Sequence, residues 1–170
     1  LNIGANTFEK CTSLENITLP DRTNTIGANA FTGCGNLVSM DLPFIGYNRG
    51  STAAASTTLG YIFGATSYDN SYAANMWSTT NYYIPNGLTT VTIRGGNILQ
   101  NAFLRCKFIE TLILPENLYS NTAIGQSAFQ QCDSLTTVKI AGDSGLTLPA
   151  NTTSLGQYLF YNTPALASVV

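Results

Sequence analysis

The chain has 170 residues, of which 44% are hydrophobic, 9% are charged and none is histidine. This length suits one domain, and an aromatic content of 11% with so few charges predicts a folded chain. A net charge of −2 with seven Lys and Arg residues argues against binding to nucleic acid or to an anionic membrane surface. No run of about 18 apolar residues is present that could span a bilayer.

The chain starts with one sequence frame that occurs twice. Residues 3–20 read IGANTFEKCTSLENITLP, and residues 26–43 read IGANAFTGCGNLVSMDLP. The final part of each copy alternates apolar and polar residues, as a half-buried strand does, and a proline ends it because proline cannot donate to a strand ladder. The Phe and Cys in the middle of each copy predict a short helical or 3-10 turn whose Phe enters the core.

The frame is interrupted after residue 43, and its strand pattern resumes at residues 88–93. We interpret residues 44–87 as one enlarged coil, in which Phe63 supplies the core aromatic residue. This coil holds the only Trp and six of the nine Tyr residues. Such side chains offer rigid contact area to a protein or a sugar, or they only pack the insertion onto the convex wall, and the sequence leaves both interpretations open. The candidate ligand contacts in this coil are Tyr47, Tyr68, Tyr72, Trp77, Tyr82 and Tyr83.

The second half of the chain carries further copies at residues 98–115, 124–140 and 155–169. One copy is too small to bury its own apolar side chains, so the copies are expected to stack and share a core. This predicts a single domain over residues 1–170: an α/β repeat solenoid of about six right-handed coils, with a parallel sheet on the concave face and short helical or 3-10 turns on the convex side. The predicted core positions are Phe8, Phe31, Phe63, Phe103, Phe129, Phe160, Cys11, Cys34, Cys106 and Cys132.

The frame Ile-Gly-x-x-Ala-Phe-x-x-Cys-x-x-Leu-x-x-Ile-x-Leu-Pro resembles the BspA-type (Treponema pallidum-type) leucine-rich repeat. The resemblance covers nearly the whole chain. It implies a leucine-rich-repeat solenoid in a secreted or cell-surface protein, usually of a gut or oral bacterium and sometimes of a parasitic protist. It also implies adhesion to host proteins or other cells, commonly as one module of a larger polypeptide.

The four cysteines share one position of the frame, and Thr163 takes that position in the last copy. Free, buried thiols are expected, because equivalent side chains in stacked coils point the same way. Disulfides between neighbouring coils, such as one joining Cys11 to Cys34, are the alternative. No zinc or other metal site is expected, since the chain has neither His nor a Cys-x-x-Cys motif.

The outward strand positions are predicted to form the concave face, and Thr90, Thr92, Thr111 and Thr137 are its candidate ligand contacts. Their hydroxyl groups could hydrogen-bond a partner. Equally, Thr is favoured at any exposed strand position, so this interpretation also stays open. The whole predicted face consists of Asn16, Thr18, Ser39, Asp41, Thr90, Thr92, Thr111, Ile113, Thr137, Lys139 and Ser168.

No catalytic residue and no cofactor are predicted. Without His, neither a Ser-His nor a Cys-His pair can form. The carboxylates nearest the strand ends have no acidic neighbour in adjacent coils, as a glycosidase would need, and residues 143–145 lack the alternating acids of a calcium loop. Those carboxylates are Glu15, Asp41, Glu110 and Asp133.

We therefore predict a non-enzymatic, adhesion-type binding module for an extracellular protein or glycan. Carbohydrate binding through the aromatic residues of the enlarged coil and a purely structural spacer are the alternatives. The chain starts inside a repeat at Leu1 and stops inside a strand at Val170, which suggests a piece of a longer protein. Neither end has a capping coil, so mobile termini or end-to-end association between copies is expected.

Overall fold

The structure is a computed structural model that describes residues 1–143 and 147–167. The residues predicted as the last strand (168–169) and two residues of the Asp-Ser-Gly segment (144–145) lie outside the described part. In chain order the elements are β1 (Asn2–Ile3), β2 (Asn16–Thr18), β3 (Thr25–Ile26), β4 (Ser39–Leu42), a 3-10 turn (Ala54–Ser56), α1 (Leu59–Phe63), β5 (Ser71–Trp77), β6 (Thr80–Pro85), β7 (Thr90–Ile93), β8 (Thr111–Leu114), β9 (Ala123–Ile124), β10 (Thr137–Ile140) and β11 (Ser154–Leu155).

The main sheet contains one strand from each of the first four copies of the frame and one strand, β7, that follows the enlarged coil. Over the described residues it is parallel and five-stranded, in the order β10-β8-β7-β4-β2. The register places the inward residues of the copies in one line, which runs through Ile17, Met40, Val91, Leu112 and Val138. The solenoid with a parallel sheet that the sequence predicts is therefore confirmed.

Two short parallel ladders, which the sequence pattern does not predict, form a second wall. Strand β1 pairs with β3, so that Ile3 lies beside Ile26, and β9 pairs with β11, so that Ile124 lies beside Leu155. Ile3, Ile26 and Ile124 are buried. The Ile at the start of these three copies thus closes the core on the side away from the Leu-x-Leu strand.

The glycine that follows this Ile lets neighbouring coils approach closely. A β-carbon on Gly27 would lie 2.3 Å from the backbone nitrogen of Ala5, and one on Gly125 would lie 2.2 Å from that of Gln100. Both distances are far inside van der Waals contact. The Ile-Gly pair of the frame is therefore a packing requirement of the stack rather than a requirement of the turn itself.

The Phe side chains of successive coils form a file through the core. Phe8 stacks on Phe31 with ring centroids 5.0 Å apart, and the ring centroid of Phe31 lies 6.3 Å from that of Phe63, so the enlarged coil supplies a Phe to this file. In the second half, Phe129 lies between Phe103 and Phe160, at 5.9 and 5.3 Å. The four inner members, Phe31, Phe63, Phe103 and Phe129, are fully buried, and the outer two are half-buried.

Around each Phe the backbone follows consecutive turns. In the second copy, the amide of Thr32 donates to the carbonyl of Asn29 and that of Cys34 to the carbonyl of Phe31. Left-handed φ values recur two residues before and two residues after the Phe, which stops these turns from extending into a helix. The non-glycine residues at these positions with a left-handed φ are Asn6, Lys10, Asn29, Asn101, Arg105, Ser127, Gln131, Tyr158 and Asn162.

The enlarged coil replaces these turns with α1 and the antiparallel hairpin β5–β6. The hairpin packs on the helix: the amide of Gly60 lies 3.2 Å from the sulfur of Met76, and the amide of Tyr83 donates to the carbonyl of Gly64. Alternate residues of β5, including Met76 and Ala74, are buried between the hairpin and the solenoid. The insertion is thus an integral part of the wall and not a free loop.

All four cysteines are free. Cys34 donates its thiol hydrogen to the carbonyl of Phe8 in the preceding coil at 3.1 Å, and Cys132 does the same to Phe103 at 3.1 Å. Burial raises the pKa of Cys34 to about 11 and that of Cys132 to about 12, so both thiols stay protonated at neutral pH. The prediction that Cys11 is a core residue is wrong, because no coil covers it in this structure and its side chain is exposed.

Candidate functional site

The outward side chains of the main sheet form two straight rows, which we call the sheet face. In the first row, Ser39, Thr90, Thr111 and Thr137 lie side by side. The hydroxyl of Ser39 donates to the side-chain oxygen of Asn16, the next member of this row, at 2.7 Å. The second row consists of Thr18, Asp41, Thr92, Ile113 and Lys139. The four threonines predicted as ligand contacts therefore share one surface.

A depression of about 600 Å³ lies where strands β7, β8 and β10 end. Thr92 and Ile113 of the second row form one side of it, and Arg94, Glu116 and Asp143 bring charge to its border. Its remaining lining is mainly apolar and includes Pro115 and Ala150. This depression could not be predicted from the sequence, because the segments that follow the strands differ from one copy to the next.

Arg94 joins three coils beside this depression. Its Nε donates to a carboxylate oxygen of Asp21 at 2.7 Å, its Nη1 donates to Asp41, and its Nη2 donates to the backbone carbonyl of Leu19. The hydrogen bond and the positive charge of Arg94 hold the pKa of the exposed Asp21 carboxyl below its ordinary value. Arg94 therefore fixes the position of Asp41 on the sheet face.

The aromatic residues of the enlarged coil mostly pack against the protein. Tyr72 is only 9% exposed and meets Phe108 edge-to-face at 5.0 Å, with the Lys107 amino group 5.1 Å from its ring centroid. Burial raises the pKa of Tyr72 well above its ordinary value. The prediction that Tyr72 is available to a ligand is therefore corrected: its ring has almost no free surface.

Tyr68 and Tyr82 are also held by the protein. The hydroxyl of Tyr68 donates to the carbonyl of Tyr83 at 2.7 Å. The ring of Tyr82 covers Gly60, where a β-carbon would lie 2.4 Å from the ring. Burial raises the pKa of both the Tyr68 and the Tyr82 hydroxyl. Both rings lock the hairpin onto the rest of the enlarged coil.

The other aromatic candidates keep some free surface but are not brought onto the sheet face. Tyr47 is 41% exposed and touches Tyr61 edge-on at 6.4 Å. Trp77 ends β5 beside the hairpin turn, and Trp77 and Tyr83 are both half-buried. The two sets of candidate contacts thus belong to different parts of the molecule.

The described part of the chain contains few side chains that could support catalysis or bind a metal ion. No group of three or more Cys, Asp or Glu side chains that could hold a metal ion occurs in residues 1–143 and 147–167. Arg94 occupies the pair Asp21 and Asp41, as an ion-pair partner. Among the same residues, no helix is long and apolar enough to cross a membrane.

The parallel sheet, the Ile-Gly ladders and the Phe file together define a leucine-rich-repeat solenoid. The family description "BspA type Leucine rich repeat region" matches residues 1–92 and 96–170 in six copies, and the chain belongs to this family. Among solved structures, the crystal structure of the T. pallidum Leucine Rich Repeat protein is similar, with 21% sequence identity and a TM-score of 0.39. The match covers 99% of this chain and 51% of that one, so the chain spans about half its length. No curated protein matches significantly in sequence.

Proposed function

We propose that this chain is a non-catalytic, protein-binding module that takes a partner on its sheet face. The observation that carries the proposal is the straight alignment of the outward side chains over successive strands. At about 4.8 Å between strands, such rows present polar groups at regular intervals along the solenoid. Leucine-rich-repeat modules of this type generally bind proteins and are typically non-catalytic scaffolds.

The composition of the rows favours a protein partner over a sugar. Sugar rings are usually held by the flat faces of exposed aromatic side chains, and the two rows contain none. The rows instead offer hydroxyl groups, one apolar residue (Ile113) and two charges of opposite sign (Asp41 and Lys139). The neighbouring depression could receive a protruding side chain of the partner.

We further propose that the module acts outside the cell or on its surface, in adhesion. The family to which the chain belongs supports this, because its members are typically surface-associated. The chemistry of the surface is compatible with that setting, since binding through hydroxyl rows requires neither a reduced cysteine nor a cofactor. The partner would then be an extracellular protein.

A screen of the purified chain against an array of extracellular proteins, with a glycan array beside it, tests the proposal. Thr111 lies in the middle of the first row, so Thr111→Arg should weaken binding to any protein identified by about tenfold or more. Gln126→Arg is the matched control, because Gln126 is exposed but belongs to a turn outside the sheet. It should leave binding unchanged.

Three results would contradict the proposal. If a folded Thr111→Arg variant binds the partner as well as the parent chain does, the partner does not bind on the sheet face. Specific binding on the glycan array alone would favour a carbohydrate module. No binding on either array would favour a structural spacer.

A further inference from the structure

Strand β5 has an unpaired edge. It pairs with β6 on one side, and within the described residues no other strand lies beside it. No backbone hydrogen bond joins residues 71–77 to any segment other than β6 in that part of the chain. Its exposed residue is Ala73, and Asn75 and Trp77 are half-buried. An unpaired row of amide and carbonyl groups is a template for one more strand.

The sequence of β5 does little to protect this edge. Natural proteins guard such edges with charged side chains, proline or very short strands. Strand β5 reads SYAANMW, with no charge and no proline over its whole length. Its one irregularity is a shift of register between Asn75 and Trp77 near the hairpin turn, which leaves the first half of the strand regular.

A groove with excess positive charge adjoins this edge. It has a volume of about 230 Å³, and Ala73 of β5 is one of its lining residues. Arg105 and Lys107 line it from the neighbouring coil, and neither has a carboxylate within 4.0 Å among the described residues. Asp133 is the only acid in the lining, which otherwise contains Gln131 and Asn162.

The two cations are held in place by other contacts. The amino group of Lys107 lies about equally far from the rings of Tyr72 and Phe108, at 5.1 and 4.9 Å from their centroids. The Nε of Arg105 donates to the side-chain oxygen of Gln131 at 2.8 Å. Because these side chains are already ordered, an acidic partner would not have to order them on binding.

We propose that this edge is a second binding site, distinct from the sheet face, which takes an extended, acidic peptide segment of a partner protein by strand addition. The segment pairs its backbone with the unpaired edge of β5. Its carboxylate side chains, which lie on one face of an extended chain at every second residue, point into the groove towards Arg105 and Lys107.

A capped peptide of alternating valine and glutamate is a direct probe. We expect it to bind the intact chain and to protect alternate amides of residues 71–77 from hydrogen exchange. Methylation of the peptide's alternate backbone nitrogens should weaken binding at least tenfold, because it removes the donors of the ladder but leaves the charges. Replacement of its glutamates by lysine should also weaken binding.

Matched variants of the chain separate the effect of a lost charge on peptide binding from an effect on the fold. Arg105→Asn should weaken binding of the acidic peptide about two- to fivefold, which is the range for a solvent-exposed ion pair. The effect should be smaller at high salt. Lys10→Asn is the control, because Lys10 holds the same repeat position with nearly the same φ, 59° against 61°, and asparagine tolerates this conformation. It should leave peptide binding unchanged. Thr111→Arg on the sheet face should also have no effect on this peptide, so the two sites can fail independently.

The proposal is overturned if the peptide does not bind at millimolar concentration. It is also overturned if the N-methylated peptide binds as tightly as its parent, or if the exchange of residues 71–77 does not change on binding. Equal binding of the glutamate and lysine peptides would contradict the acidic character of the partner.

Discussion

The first two coils carry the same frame but differ in how well it is buried. Phe8 is half-buried, whereas Phe31 is fully buried, and Cys11 is exposed, whereas Cys34 is buried. In this structure the second coil has a neighbour on each side and the first has one on a single side only. The frame therefore determines the path of the backbone, but a neighbouring coil on each side is what removes its side chains from water.

The largest expected effect comes from truncation of a Phe in the file. Phe31→Ala should lower the free energy of unfolding by about 3 to 5 kcal/mol, since the ring is fully buried between two others. Phe8→Ala should cost clearly less, because one side of that ring has no coil against it. Chemical denaturation of both variants measures the difference. Equal losses of unfolding free energy in the two variants, or a loss below about 1 kcal/mol for Phe31→Ala, would contradict the claim that the second coil is better buried than the first.

The glycines of the frame should show the same contrast between the first and the second coil, with a smaller loss of stability. Gly27→Ala should cost about 1 to 3 kcal/mol, because the new methyl group would overlap the backbone of Ala5. Gly4→Ala is the matched control: its nearest contact would be the Thr7 hydroxyl oxygen at 3.4 Å. That variant should be neutral or gain up to about 1 kcal/mol from a less flexible unfolded chain. Similar losses in the two variants would show that the turn, and not the stack, requires glycine.

The parts of the structure that repeat with the frame were predictable from sequence. The register of the main sheet follows from the frame, because Ile17, Met40 and their equivalents recur at one fixed position. The left-handed turns have a partial sequence signal in the asparagines at positions 6, 29 and 101, but Ser127 and Tyr158 at the equivalent positions obscure it.

The hairpin and the exposure of Cys11 could not be predicted in the same way. Strand β5 alternates Tyr72, Ala74 and Met76 with Ala73, Asn75 and Trp77, so both of its faces contain apolar residues and the period of two is blurred. The residue type of Cys11 matches that of Cys34, and only the absence of a covering coil exposes it. For the candidate site, the sequence predicts the two rows of the sheet face but not the depression beside them, because non-repeated segments line it.

Alkaline pH should destabilise the protein through the buried thiols. Burial raises the pKa of Cys34 from an ordinary value of 9.0 to about 11. Between these values the unfolded chain releases a proton that the folded chain keeps, so the contribution of this thiol to the unfolding free energy is constant below about pH 9 and falls as the pH approaches 11. Denaturation at a series of pH values measures this fall, and Cys34→Ala should make it shallower. A profile that Cys34→Ala leaves unchanged would show that this thiol does not titrate differently in the two states.

Thiol labelling is the mildest test, because it leaves the fold intact. In the folded chain a thiol-reactive disulfide reagent should modify Cys11 quickly and the three buried cysteines at least tenfold more slowly. All four should react after denaturation. Cys11→Ala should abolish the fast phase, and a fast phase that persists in this variant would contradict the assignment.

Addition of one more coil ahead of the first tests directly whether a neighbouring coil is what buries the side chains of the frame. A second copy of residues 1–23 placed ahead of Leu1 should cover the present first coil, since the strands, the Ile-Gly ladder and the Phe file all continue by the same contacts. The thiol at the original Cys11 position should then react as slowly as Cys34 does, and only the thiol of the added copy should be fast. If the original thiol stays fast in a folded, extended chain, burial is a property of the individual coil and not of its neighbours.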